Sequence, residues 1–182
     1  MRFLRAAIRF PLFLVFTVVL YSTWFVGNLF IPNRIYWRQL AFMVWSRGFA
    51  VIAGMDFEVI GTPPKPPFFL VSNHLSYVDI CAIRGVVPGV FVAKNEISGW
   101  FFAGRTVRDM GNVFIDRQNR RDIPRAGEQI IERLNEGEGV IIFPEGTSTK
   151  GEEVLPFNSS FLQFAAERDL PVSYAAISYR TP

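Results

Sequence analysis

The chain has 182 residues, half of them hydrophobic, 19% charged and 15% aromatic, with a formal net charge of +3. Its pI of about 9.3 and mean hydropathy of +0.23 suit an anionic membrane surface or a phosphate-bearing substrate. This is enough chain for one domain with a real core. The single cysteine, Cys81, excludes an intrachain disulfide, and no Lys/Arg stripe interleaved with exposed aromatics points to nucleic acid.

Between Arg9 and Arg34 lie 24 residues without a charge. That run is long enough to cross a bilayer as a helix, which takes about 20 residues. Arginines flank it on both sides, so the charge rule sets no strong orientation. No small-x-small cleavage site follows it, only aromatics and Pro32, which argues against a signal peptide. Trp24, Tyr36, Trp37 and Trp45 are amphipathic aromatics of the kind found at headgroup depth. A second apolar stretch, Ile35 to Val51, carries Arg38 and Arg47. Residues 1–54 are therefore expected to form a membrane-associated helical pair, one helix inserted and one lying near the interface with its arginines snorkelling. A plain single-pass anchor is the alternative.

From Asp56 the pattern changes to short apolar runs alternating with mixed segments. Phe57–Gly61 and Phe68–Ser72 read as strands, separated by the proline-rich loop Pro63 to Pro67. A helix is expected from about Val78 to Val87, a strand at Val90–Ala93, a helical segment from about Ser98 to Arg108 and a strand at Asn112–Asp116. Asp122–Glu136 carries the clearest helical signature. Asp122 can cap it, Pro124 fits its first turn, Ile123, Ile130, Ile131 and Leu134 share a face, and Gly137 stops it. A strand at Val140–Phe143, a helix at Ser159–Arg168 and a strand at Val172–Tyr179 complete the order. Alternating strands and helices predict an α/β fold for residues 55–182, a mostly parallel sheet with flanking helices.

In such a sheet every strand presents its carboxyl end at one edge, and ligands bind there. Four polar residues follow four strands in this way: His74, Lys94, Arg117 and Glu145. His74 is the only histidine, and Asp79 follows it by five positions. Imidazole is the side chain whose unperturbed pKa, about 6.5, suits proton transfer near neutrality. A carboxylate on one ring nitrogen fixes the tautomer and leaves the other free to accept a proton. The same spacing also serves a helix cap with no chemistry. In Phe143-Pro144-Glu145-Gly146-Thr147, Glu145 offers an acceptor for a hydroxyl and Gly146 permits close approach, although an ordinary strand-ending turn has the same composition. Arg117, in Gly111-Asn112-Val113-Phe114-Ile115-Asp116-Arg117, offers a planar fork for phosphate or carboxylate, or belongs to a solvated basic face with Arg120 and Arg121.

Asn73-His74-Leu75-Ser76-Tyr77-Val78-Asp79 resembles the HxxxxD block of the glycerolipid acyltransferases, the 1-acyl-glycerol-3-phosphate acyltransferase-like group. Gly111–Arg117 and Phe143–Thr147 resemble that family's second and third blocks, in family order and after an apolar N-terminal region. The resemblance implies transfer of a fatty acyl chain from acyl-CoA or acyl-carrier protein, as co-substrate, to a lysolipid hydroxyl, with no metal and no further cofactor. By that match His74 is the catalytic base and Asp79 its orienting partner. The hydroxyl attacks the thioester directly, and backbone N–H groups stabilise the oxyanion. Arg117, Glu145, Gly146 and Thr147 hold the acceptor, and Lys94 adds charge for a phosphate. The expected location is the cell membrane, with the catalytic domain on the cytoplasmic side.

Two departures bear on this expectation. Ser148 stands where the family often has arginine, a pattern seen in relatives that acylate other lysolipids, including lyso-ornithine lipid. The chain also ends at Pro182 directly after a strand, which reads as a C-terminal truncation. Rival readings are a non-catalytic membrane lipid-binding protein, opposed by the intact His74 and Asp79, and a cysteine hydrolase using Cys81 and His74, opposed by the apolar setting of Cys81.

Overall fold

The computed structural model describes residues 2–116, 119, 121–158, 165, 166 and 168–180. The chain divides into two compact units, one of Met1–Thr62 with Ile80–Val86 and one of Pro63–Asp79 with Val87–Pro182.

The first unit is built on two helices, α1 (Arg2–Gly27) and α2 (Arg34–Ala53). They run antiparallel. Trp37 Nε1 donates to Trp24 O at 2.9 Å, Trp45 Nε1 donates to Thr17 Oγ1 at 3.0 Å, and Phe13 packs edge-on against Phe49 at 5.2 Å. Arg9 Nη1 then donates to Ala53 O at 2.9 Å, satisfying a carbonyl that the end of α2 leaves open. Asn33 starts α2 by accepting from Tyr36 N at 2.9 Å. Phe3–Gly27 contains an 18-residue window of mean hydropathy 2.0 and is long and apolar enough to cross a bilayer. Of the α2 arginines expected to snorkel, Arg47 is tied to the protein. Arg47 Nε donates to Gly85 O at 3.0 Å. Gly85 and Arg84 lie on α3 (Val78–Val86), whose residues Ile80–Val86 belong to this unit. Arg84 is fully buried, donates to the backbone and side-chain oxygens of Gln39, and stacks over Phe42 at 5.0 Å.

The second unit is a five-stranded sheet: β1 (Phe68–Ser72), β2 (Val90–Lys94), β3 (Val113–Ile115), β4 (Gly139–Ile142) and β5 (Val172–Ala175), in the order β3-β2-β4-β1-β5. All four pairings are parallel. The central strands β1 and β4 are buried along their whole length, as near-continuous apolar runs in a parallel sheet should be. Phe68 pairs with Gly139, where a Cβ would run into the Phe68 ring. The core holds Phe69, Val71, Val90, Val92, Val113, Ile115, Val140 and Ile142 from the strands. Ala126 and Ile130 of α5 (Asp122–Asn135) join it, with Ile123 and Leu134 packed alongside. A fully buried Ile contributes about 1.5–3 kcal/mol.

The structure departs from the sequence reading in four places. Phe57–Gly61 forms no strand; Val59 and Ile60 are 49% and 89% exposed, because β-propensity without a neighbouring strand gives no ladder. The segment expected to be helical from Ser98 to Arg108 is a short 3-10 helix at Asn95–Gly99, a break, and α4 (Ala103–Asp109). The last strand ends at Ala175 rather than Tyr179. Asp122 does not cap α5 but is its first residue. Its carboxylate accepts from Asp116 N at 2.7 Å and from Arg125 Nε at 2.6 Å, while Arg125 Nη2 donates to Phe114 O at 2.7 Å. The helix expected at Ser159–Arg168 falls mostly outside the described residues.

Arg125, and then the Asp116 N–H, hold the Asp122 carboxyl at about 2, below its ordinary 3.8. A carboxyl depressed by folding stabilises fully above its unfolded value, and that contribution is lost as pH falls through about 2. Asp122→Asn is therefore expected to lower the melting midpoint by about 2–4 °C at neutral pH, with the gap to the parent chain closing toward about pH 2. Thermal melts across that range check it. A gap independent of pH would mean the carboxylate charge is not what stabilises the loop.

Candidate active site

The site forms where β1 and β4 end. Their register pairs Val71 with Ile142, so three residues further on His74 stands opposite Glu145. The Glu145 carboxylate uses this position twice: Oε1 accepts from His74 N at 2.7 Å and Oε2 from Leu155 N at 2.9 Å. Thr149 N donates to His74 O at 3.0 Å, so the segment after β4 grips both backbone polar groups of His74. Gly146, at φ +77, turns that segment, and its N–H returns to Phe143 O at 3.1 Å.

The loop from β1 into α3 closes on itself. Asp79, in the first turn of α3, is fully buried. Its Oδ2 accepts from Leu75 N at 2.6 Å and Ser76 N at 2.9 Å, and lies 2.8 Å from His74 Nδ1. Oδ1 accepts from Tyr179 OH. Burial alone would raise the Asp79 carboxyl, but the hydrogen bonds from His74, Tyr179, Ser76 and Leu75 outweigh it and hold it below the usual range. An ionised carboxylate can only accept, so Nδ1 donates to it, and in the neutral ring the lone pair is then on Nε2. Phe143 stacks on the imidazole, 4.1 Å between centroids and 14° from parallel, which fixes the ring plane. Among the described residues Nε2 has no hydrogen-bond partner, and the side chain keeps 16% of its surface open to solvent. The arrangement is a reachable proton acceptor, fixed in tautomer and orientation.

His74, Asp79 and Glu145 are thus joined by hydrogen bonds. Gly146 and Thr147 follow directly, Thr147 exposed. Lys94 is the exposed last residue of β2, on the same edge of the sheet. Because β4 lies between β1 and β2, two strand spacings, about 9–10 Å, separate its strand from that of His74. Arg117 lies outside the described residues. A polar cavity of about 470 Å³ runs along β3 and includes Asn95, Arg108, Asn112, Asp122 and Arg125, but neither His74 nor Asp79. Cys81 is buried, and burial pushes its thiol up to about 12, so it supplies no nucleophile.

Two contributors were not singled out from sequence. Tyr179 reaches Asp79 from beyond β5. Asn73 holds the same segment, with Nδ2 donating to Ile177 O at 3.0 Å and Oδ1 accepting from Ile177 N at 2.7 Å. The only sequence signal was the position of Asn73 beside the histidine.

Residues 56–178 match the profile of a family described as Acyltransferase. A 1-acyl-sn-glycerol-3-phosphate acyltransferase of Neisseria meningitidis serogroup B is 35% identical over 146 residues, 78% of this chain and 56% of that protein. A lyso-ornithine lipid O-acyltransferase of Pseudomonas aeruginosa is 32% identical over 143 residues, 79% of this chain and 55% of that protein. The chain spans about half the length of the curated relatives it matches. The crystal structure of a 1-acyl-sn-glycerophosphate acyltransferase from Thermotoga maritima superposes with a TM-score of 0.72 at 27% identity, covering 94% of this chain and 73% of that one.

Glu145 spends both oxygens on backbone N–H groups, and glutamine offers one acceptor where two are needed. Glu145→Gln is expected to cost about 1–3 kcal/mol of stability, read as a lower denaturation midpoint of the detergent-solubilised protein. An unchanged midpoint would mean these two bonds do not anchor the loop.

Proposed function

The chain belongs to the Acyltransferase family, and we propose that it moves a fatty acyl chain from an acyl-CoA or acyl-carrier-protein thioester to the hydroxyl of a lysolipid. The observation that carries this reading is the His74 imidazole, its Nδ1 committed to an ionised Asp79, its Nε2 without a partner among the described residues and its side chain partly open to solvent. Nε2 takes the proton of the acceptor hydroxyl as the oxygen attacks the thioester carbonyl. The tetrahedral adduct collapses, the C–S bond breaks, and the imidazolium returns the proton to the leaving thiolate. Asp79 stabilises the imidazolium between these two transfers without being protonated itself. No acyl-enzyme is needed, because the substrate supplies the nucleophile. The thioester is a co-substrate, and the reaction calls for no cofactor or metal.

Glu145 enters this scheme through the loop it holds. With both oxygens on backbone N–H groups it sets the height of His74 at the strand end. Lys94, Arg117, Gly146 and Thr147 remain the proposed acceptor-binding residues. The first choice of acceptor is 1-acyl-glycerol-3-phosphate, giving phosphatidic acid. Relatives named for that substrate and for lyso-ornithine lipid match at similar identity, and Ser148 in place of arginine favours the second acceptor. Membrane residence rests on α1, and a cytoplasmic catalytic unit is proposed with it.

Purified protein in membranes is assayed with labelled acyl-CoA or acyl-carrier protein and a panel of lysolipids. Transfer should be seen, and His74→Ala should reduce it by about 10²–10⁴-fold with the fold retained. Unchanged turnover would remove His74 as the base. The preferred lysolipid settles the acceptor. On fractionation the protein should stay with membranes through a high-salt wash, because an apolar helix is held by burial and not by screened charge. Release by salt would sink the anchor.

A further inference from the structure

The geometry points to Tyr179 as a positioning residue for the proposed base, holding Asp79 through its phenol so that the carboxylate stays aligned on His74. The inference rests on the reading of His74 as the base and names a residue that the HxxxxD block does not contain. Asp79 has two oxygens. Oδ2 is fixed by Leu75 N, Ser76 N and His74 Nδ1, all within one short loop. Among the described residues Oδ1 accepts from Tyr179 OH alone. Without that donor, a fully buried carboxylate would keep an unpaired oxygen and could rotate to share it with the loop N–H groups.

Tyr179 lies 100 residues from Asp79 in sequence, and local folding does not deliver it. It is delivered by the pairing of β5 with β1 and then by the Asn73 side chain. That amide binds both the N–H and the carbonyl of Ile177, two residues before Tyr179. Asn73 precedes His74 directly, so one strand exit carries the base and also the clamp that presents the phenol to its partner. A tyrosine that merely packed at the surface would need no such clamp.

The groups bonded to the pair come from every strand exit around it. Leu75 and Ser76 contribute N–H groups, Glu145 accepts the His74 N–H, and Tyr179 donates to Asp79. Among the described residues Glu145 and Tyr179 are the only other titratable groups bonded to His74 or Asp79. The phenol O–H draws on the carboxylate charge. Removing it leaves more negative charge facing the imidazole, and the imidazolium is then favoured. A base that must be neutral to work would lose activity at higher pH than before.

The test is Tyr179→Phe in the full chain. Because the chain has one histidine, the imidazole can be followed alone by NMR. The titration of that resonance should move to higher pH in the variant. The acid limb of kcat/KM should move with it, and kcat should fall about 10-fold with KM for the lysolipid within about 2-fold. Asn73→Ala, which frees the segment but keeps the phenol, should shift both readouts in the same direction by less, and serves if Tyr179→Phe does not fold. An unshifted imidazole titration with an unshifted acid limb overturns the role of Tyr179. A parent chain that transfers no acyl group, or a His74→Ala variant that transfers normally, overturns the base instead. The NMR titration still decides whether Tyr179 acts on the pair.

Discussion

A carboxylate sealed from water must gather its hydrogen-bond donors from the protein, and Asp79 gathers four. Much of the surrounding architecture serves that requirement. Two donors are backbone N–H groups of the loop leaving β1, which forces the loop to fold tightly over the start of α3. The third is the imidazole, which turns Nδ1 to the carboxylate and leaves Nε2 on the other side of the ring. The fourth arrives from the far end of the chain, so β5 must pair with β1 before the site is complete. The constraint also explains the five-residue spacing. Shorter, and the carboxylate would not reach back from the first turn of a helix; much longer, and Leu75 and Ser76 would not point at it.

A second carboxylate works the same way one strand over. Glu145 binds backbone N–H groups on both sides, His74 on one and Leu155 on the other. It reaches His74 because β1 and β4 pair in a register that sets their exits level. The proposed base is thus held at its side chain by α3 and at its backbone by the exit of β4. The neighbouring Phe143 adds the flat contact that keeps the ring from turning.

The parts of this site closed within a few residues were readable from sequence, and the parts closed by pairing were not. His74 and Asp79 announce themselves because their bond is local. The parallel sheet was readable from alternating apolar runs and the amphipathic pattern of α5. Glu145 could be named, but its partners could not, since they depend on β4 inserting between β1 and β2. Tyr179 and Asn73 have sequence separations of about a hundred residues from their partners, and nothing in local composition reports such a bond. Phe57–Gly61 shows the opposite failure. Its local pattern is that of a strand, but no strand is placed beside it. Arg84 was not singled out from sequence, and only the fold reveals Gln39 and Phe42 as its partners.

The pair Asp122 and Arg125 has a consequence for how copies of this chain behave toward one another. β3 is an outer strand, and an outer strand with open N–H and carbonyl groups invites another chain to add to it. Here the Phe114 carbonyl is taken by the guanidinium and the Asp116 N–H by the carboxylate, both reaching over from α5. Those two groups are spaced two residues apart, as the outward-facing groups of one strand edge are. An incoming strand would have to displace two charged hydrogen bonds to gain two neutral ones, an unfavourable exchange. Both caps are charged, so at neutral pH this strand edge offers an incoming chain little to gain.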